Sequence, residues 1–286
     1  MTALSQQQKD FFNENGYLVV ENAVSPDLLT QLETDFANWV TESKSETHAY
    51  GEAFDGRPRF DLEAGHSSEA PALRRVNAPV EVSDAYYNAM MNSTMTSCVE
   101  ELIGPNIKFH HSKINSKLPG AKTSVKWHQD FPFTPHSNDD LITALLMVDE
   151  VTEQNGPLEV VPGSHKGDLH SLWHNNEFTG AIAKEVADQC QRESVKCTGS
   201  AGSVCLMHTR LLHGSAPNLS DKPRTLFIAV YSAEDAVPQS PNPMPSKFEG
   251  QIVRGERTNR IRSIPYDIEL PLIPKGASFF EQQSKN

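Results

Sequence analysis

The stretch from Trp127 to Phe133 reads WHQDFPF and sets an imidazole and a carboxylate two residues apart. On an extended strand, residues i and i+2 share a face, so His128 and Asp130 converge while Gln129 faces away. Further along, LMHTRLLHGSAPN offers His208 and His213. Their odd spacing puts them on opposite faces of a regular strand, and Ser215 shares the face of His213. The chain then turns through NLSDKPR into a run that begins at Arg224. A hairpin here would fold Arg224 back towards His213.

His128, Asp130 and His213 together would form a 2-His-1-carboxylate face with open coordination positions, the donor set of non-haem Fe(II) oxygenases that use O2. Arg224 would hold a carboxylate through a bidentate, charge-assisted pair, with the Ser215 hydroxyl beside it. A metal face with a guanidinium behind it suits a chelating dicarboxylate such as 2-oxoglutarate. Zinc sites also use two imidazoles and a carboxylate, so a jelly-roll metal-dependent hydrolase is the alternative reading. Arg224 and Ser215 weigh against it. Taken singly, His128 reads as a satisfied strand histidine and Arg224 as a solvated surface residue; the combination reverses both readings. His208, with the opposite parity, reads as structural, and His165 in PGSHK as a turn residue.

The elements that must carry these residues follow from pattern. SQQQKDFFNENGYLVV predicts a short helix, a turn at Gly16 and a brief strand over 17–20. SPDLLTQLETDFANWV predicts a helix, with Ser25 as N-cap, Pro26 in the first turn and apolar residues at helical spacing. Residues 41–80 are polar and turn-rich and read as a loop. One further helix is expected from Ser83 to a stop at Gly104. After that the period changes to short β-type runs punctuated by Pro, Gly and Asn, which argues for a sandwich or barrel. A polar insertion over 166–196 is expected to be helical near AIAKEVADQCQRES, and the last fifty residues irregular. We expect one domain over 1–286: N-terminal helices in 1–104, a β core over about 105–235, and a tail.

Composition is that of a globular chain, and the formal charge of −12 argues against a nucleic-acid partner, which requires a basic footprint. The four cysteines, Cys98, Cys190, Cys197 and Cys205, lack metal-type spacing and read as reduced thiols. The N-terminus lacks the layout of a signal peptide, and no apolar run approaches the ~20 residues of a membrane span. The ending Ser284-Lys285-Asn286 comes near the peroxisomal SKL signal but has Asn for Leu. These features predict a soluble cytoplasmic protein with a small-molecule substrate and no membrane partner. They do not determine an oligomeric state.

WHQDFPF, NGPLEVVPGSHKG and LLHGSAPNLSDKPR, in that order, resemble the phytanoyl-CoA dioxygenase family of Fe(II)/2-oxoglutarate-dependent oxygenases. The resemblance runs from GYLVVENAVSPDLL to RTLFIAVYS. The family spacing of a distal His, a Ser two residues on and an Arg eleven on is met by His213, Ser215 and Arg224. HHSKIN resembles a strand of the ectoine hydroxylase branch, which implies that Asn115 contacts 2-oxoglutarate and that His111 and Lys113 lie near the pocket. The implied fold is mainly β with flanking helices, a double-stranded β-helix (jelly roll, cupin-like). The implied chemistry is hydroxylation with Fe(II), 2-oxoglutarate and O2, and Asp130 fills the position that halogenases on this plan leave open. A small polar or zwitterionic substrate is expected, with a lipid, terpenoid or CoA-linked one as the alternative. Gln129 is a further candidate for the co-substrate, and Phe131 and Phe133 for the substrate.

Overall fold

The computed structural model describes residues 2–272 and residue 283. The motif Ser284-Lys285-Asn286 and the end of the expected tail lie outside the described residues. A large antiparallel sheet forms one wall. Its strands run in the order Tyr17–Val20, Val204–His208, Leu141–Met147, Arg224–Ala233, Ile107–Lys117, Leu73–Asn77, Pro58–Leu62 and Tyr50–Glu52, and Ile252–Arg254 also pairs with Ile107–Lys117. The facing wall is a smaller sheet, ordered Val195–Cys197, Leu158–Val160, His213–Ser215 and Val125–His128. This is the jelly-roll, cupin-type double-stranded β-helix with helices outside.

The period of two along each strand decides which side chains meet which core. In Arg224–Ala233, Phe227, Ala229 and Tyr231 point outward and pack with Phe36, Tyr86, Met90 and Met95 of the helices. Leu226 and Ile228 point the other way and join Leu145, Met147 and Met207 against Leu158 and Val160 of the facing sheet. Because both faces are covered, the whole strand is buried, as is Leu141–Met147. The helix Pro26–Ser43 starts as its sequence predicts, with the Ser25 hydroxyl accepting from the Leu28 N–H at 3.2 Å.

Three expectations are corrected. Residues 41–80 are not a loop: Tyr50–Glu52, Pro58–Leu62 and Leu73–Asn77 extend the large sheet, so the N-terminal segment supplies strands as well as helices. The helix expected from Ser83 to Gly104 is two helices, Asp84–Asn92 and Thr94–Ile103, broken where Ser93 turns extended (φ −101°, ψ 168°) and its hydroxyl binds back to the Ala89 carbonyl. A hydroxyl that can satisfy backbone locally competes with helix continuation. Finally, His213 and Arg224 are not two arms of a hairpin. His213 pairs within the small sheet and Arg224 within the large one, so they reach the interior from opposite walls.

A β-bulge interrupts the pairing between Val230 and Tyr231, which face His111 and Phe109. Before it, Ile107 and Phe109 join the outer core, whereas Lys113, Asn115 and Lys117 after it line the interior. The extra residue reverses the parity of the strand, the expected effect of a bulge beside a site.

Candidate active site

His128 closes the strand Val125–His128 and lies directly across the ladder from His213. The two rings sit 4.1 Å apart, centroid to centroid. Asp130 is not on that strand. Its backbone is helical (φ −74°, ψ −32°) and opens a 3₁₀ turn over Phe131–Phe133, where Pro132 fixes the local geometry. The turn swings the carboxylate back, so that Oδ1 lies 3.5 Å from Nε2 of His128 and 3.5 Å from Nε2 of His213. Convergence therefore comes from a turn and not from strand parity.

Each ligand is oriented from behind. His128 Nδ1 bonds the Lys126 carbonyl at 2.7 Å and His213 Nδ1 the Leu211 carbonyl at 2.9 Å. A carbonyl only accepts, so each Nδ1 carries the proton and each Nε2 presents its lone pair to the shared point. Asp130 Oδ2 accepts from the Thr143 hydroxyl at 2.7 Å, which leaves Oδ1 for the metal side. Burial, then the neighbouring His213, pushes the His128 pKa down, which keeps the ring neutral and able to ligate. Burial opposes ionisation of Asp130, yet the two imidazoles hold its carboxyl well below the usual range. The three ligand atoms lie within 4.8 Å of one another. Two imidazoles and one carboxylate around a point open to the cavity fit a divalent first-row metal with free positions.

A cavity of about 630 Å³, open solvent at its mouth included, extends from this triad between the sheets. Its inner end holds Arg224, which is 3% exposed and donates from Nε to the Gly156 carbonyl at 2.9 Å. Across the ladder from Arg224 is Lys117, whose Nζ donates to Ser215 Oγ at 2.8 Å and to the Ala216 carbonyl. Leu145, Leu158, Met207, Leu226 and Ile228 form apolar walls between the two ends. A cavity lined by a metal face and a buried guanidinium matches a chelating dicarboxylate in charge. Lys117 escaped the sequence reading although the alternation of HHSKINSK puts it on the face of Asn115; Thr143 carries no local signal.

Comparison with known proteins agrees with this geometry. The family described as phytanoyl-CoA dioxygenase (PhyH) matches residues 12–226. This chain belongs to that family. It is 32% identical over 98% of its length, and 96% of the relative's, to a probable alpha-ketoglutarate-dependent hypophosphite dioxygenase of Stutzerimonas stutzeri. It is 25% identical to the ectoine dioxygenase of Sphingopyxis alaskensis, over 80% of this chain and 76% of that one. The structure of EctD from S. alaskensis in its apoform superposes with a TM-score of 0.70 at 22% identity, covering 90% of this chain and 89% of that one. This phytanoyl-CoA dioxygenase family member is an Fe(II)/2-oxoglutarate-dependent dioxygenase that uses O2, and its His-Asp-His triad fits the iron.

The remaining candidates separate. Lys113 and Asn115 line the cavity. Asn115 Oδ1 accepts from Arg75 Nε at 3.0 Å, which turns the amide NH2 away from Arg75. His111 is buried and is not among the lining residues of the cavity; its Nδ1 is 2.6 Å from that of His110, and the His110 ring packs on His136. Gln129 does face away, and its amide is engaged there: Nε2 donates to the Asp168 and Arg210 carbonyls, and Oε1 accepts from the His170 N–H. It clamps a loop and is absent from the cavity wall. Phe131 is fully buried against Leu141, Ala233 and Ala236, so it is a core residue. Phe133 stands edge-on to the His128 ring at 5.6 Å and against Phe178. His208 packs against His165 away from the triad. Among the described residues no helix is long and apolar enough to cross a membrane.

Proposed function

We propose that this dioxygenase hydroxylates an unactivated bond to hydrogen in a small polar or zwitterionic metabolite and releases succinate and CO2. One oxygen atom of O2 enters the substrate and the other enters succinate, with CO2 lost from the keto acid. Iron on His128, Asp130 and His213 supplies the oxidising chemistry when bound. The chain's own residues do the rest. Arg224 and Ser215, with Lys117, grip the far carboxylate of 2-oxoglutarate; Asn115 offers its amide N–H to the cavity; and Leu145, Met207 and Leu226 exclude water between.

The observation that carries the reading is the join of the triad to a cavity whose inner end is cationic and whose outer part is polar. Arg74, Lys113 and Thr123 in the lining offer polar groups to a small polar metabolite. The hypophosphite activity named for the S. stutzeri relative makes a P–H bond a second candidate beside a C–H bond. Substrate-triggered succinate formation across hypophosphite, phosphonates, amino acids, ectoine and an acyl-CoA tests the reading. Stimulation by small polar compounds supports it, and stimulation by the acyl-CoA alone rejects it.

A further inference from the structure

Arg224 and Lys117 face each other on the last rung of their ladder, where Arg224–Ala233 begins and Ile107–Lys117 ends. Strand ends open readily unless other groups hold them. Two buried amides do so here. Asn218 Nδ2 donates to the Lys117 carbonyl at 2.9 Å and to the Lys222 carbonyl at 2.7 Å. Asn155, fully buried, donates from Nδ2 to the Pro223 carbonyl at 3.3 Å and to the Glu150 carbonyl at 2.8 Å. Its Oδ1 accepts from the Thr152 N–H at 2.9 Å, so the amide is engaged at both ends.

Gly156, the next residue of the NGPLEVVPGSHKG stretch, meets both cations with its backbone. Its carbonyl accepts from Arg224 Nε at 2.9 Å, which leaves the two terminal amino groups of the guanidinium for the cavity that Arg224 lines. Its Cα lies against the Lys117 stem. A Cβ there would stand 2.9 Å from Lys117 Cδ, 3.2 Å from Lys117 Nζ and 2.7 Å from the Ala216 carbonyl oxygen, which itself accepts from Lys117 Nζ. The φ of +79° adds a second demand for glycine, because a side chain strains the left-handed region.

Resting on the co-substrate reading of Arg224 above, we propose that Asn155-Gly156 is the positioning element of the 2-oxoglutarate pocket. Asn155 fixes the backbone that leads into Arg224. Gly156, through one carbonyl and one absent side chain, sets where the guanidinium and Lys117 stand relative to the far carboxylate. Neither residue lines the cavity, so both act through Arg224 and Lys117.

The test titrates the Fe(II)-loaded enzyme anaerobically with 2-oxoglutarate and with 2-oxopentanoate, which keeps the keto-acid end and the chain length but lacks the far carboxylate. The visible charge-transfer band of the chelate reports affinity, and Fe(II) affinity is measured separately. Wild type, Gly156→Ala, Asn155→Ala, Arg224→Met and each of the first two variants combined with Arg224→Met are compared. We expect Gly156→Ala and Asn155→Ala each to weaken 2-oxoglutarate binding about 10-fold or more. Affinities for 2-oxopentanoate and Fe(II) should stay within about twofold of wild type, and neither substitution should add more than about twofold to Arg224→Met. Equal losses for the two keto acids, losses that persist undiminished beside Arg224→Met, or unchanged 2-oxoglutarate affinity in both single variants would overturn the assignment. Asn155→Ala keeps the glycine and carries the comparison if Gly156→Ala does not fold; failure of both to fold would assign the pair to the fold instead of the pocket. An Arg224→Met variant that binds 2-oxoglutarate like wild type, or a wild type that forms no chelate band, strikes the co-substrate reading itself, which separates the two failures.

Discussion

The Thr143 hydroxyl holds Asp130 Oδ2 at 2.7 Å from the opposite sheet, while Oδ1 stays 3.5 Å from both imidazole Nε2 atoms. One hydrogen bond between walls thus chooses which carboxylate oxygen faces the metal. Thr143→Val keeps the shape and removes the donor, and should weaken Fe(II) affinity about 10–100-fold. Thr143→Ser should retain it. Equal affinity for iron in Thr143→Val and wild type would show that the bond is incidental.

Arg224 is enclosed, and its Nε is already engaged by the Gly156 carbonyl. Arg224→Met should raise the KM for 2-oxoglutarate by about 30-fold or more, equivalent to about 2–5 kcal/mol for losing one side of a buried charge pair. Steady-state kinetics with the co-substrate varied checks this, and an unchanged KM removes Arg224 from the site.

Lys117 gives the co-substrate site a pH dependence of definite sign. Burial first, and Arg224 second, bring its free-enzyme pKa to about 6. A carboxylate bound beside it raises that value, so the complex holds a proton that the free enzyme lacks. Affinity for 2-oxoglutarate should therefore weaken as pH rises from about 6 towards the raised value, and level off beyond it. Calorimetric titration across pH should show this slope in wild type and lose it in Lys117→Met. A slope that persists in Lys117→Met assigns it to another group.

Gln129 makes three hydrogen bonds to the backbone at Asp168, His170 and Arg210 and none towards the cavity. Gln129→Ala should cost about 1–3 kcal/mol of stability through unsatisfied buried groups. The KM for 2-oxoglutarate should stay near wild type. Thermal unfolding and kinetics together check this, and a raised KM with unchanged stability would restore Gln129 as a co-substrate contact.

The triad was legible because HxD, HGS and a following Arg occur in order along the chain, although a turn at Asp130 and not strand parity brings the carboxylate to the imidazoles. The fold class was legible from the change of period after Gly104. What escaped depends on distance. Residues 41–80 pair with the sheet through few apolar residues, so the edge strands Tyr50–Glu52 and Pro58–Leu62 carried little periodic signal of their own. The bulge at His110 reverses strand parity, which no count along a single strand reveals. Arg224 lines the same cavity as the triad but not through the expected hairpin, because sequence adjacency suggested a hairpin where the chain crosses between sheets. Thr143 and Arg75 act through partners 13 and 40 residues away, and neither has a motif around it.

The account stands on iron and 2-oxoglutarate meeting at His128, Asp130 and His213. Anaerobic addition of Fe(II) and 2-oxoglutarate to wild type, Asp130→Ala and His213→Ala, monitored by visible absorption, addresses this directly. The predicted result is a charge-transfer band in wild type that requires both components and is absent from both variants. A band of wild-type intensity in either variant would contradict the account.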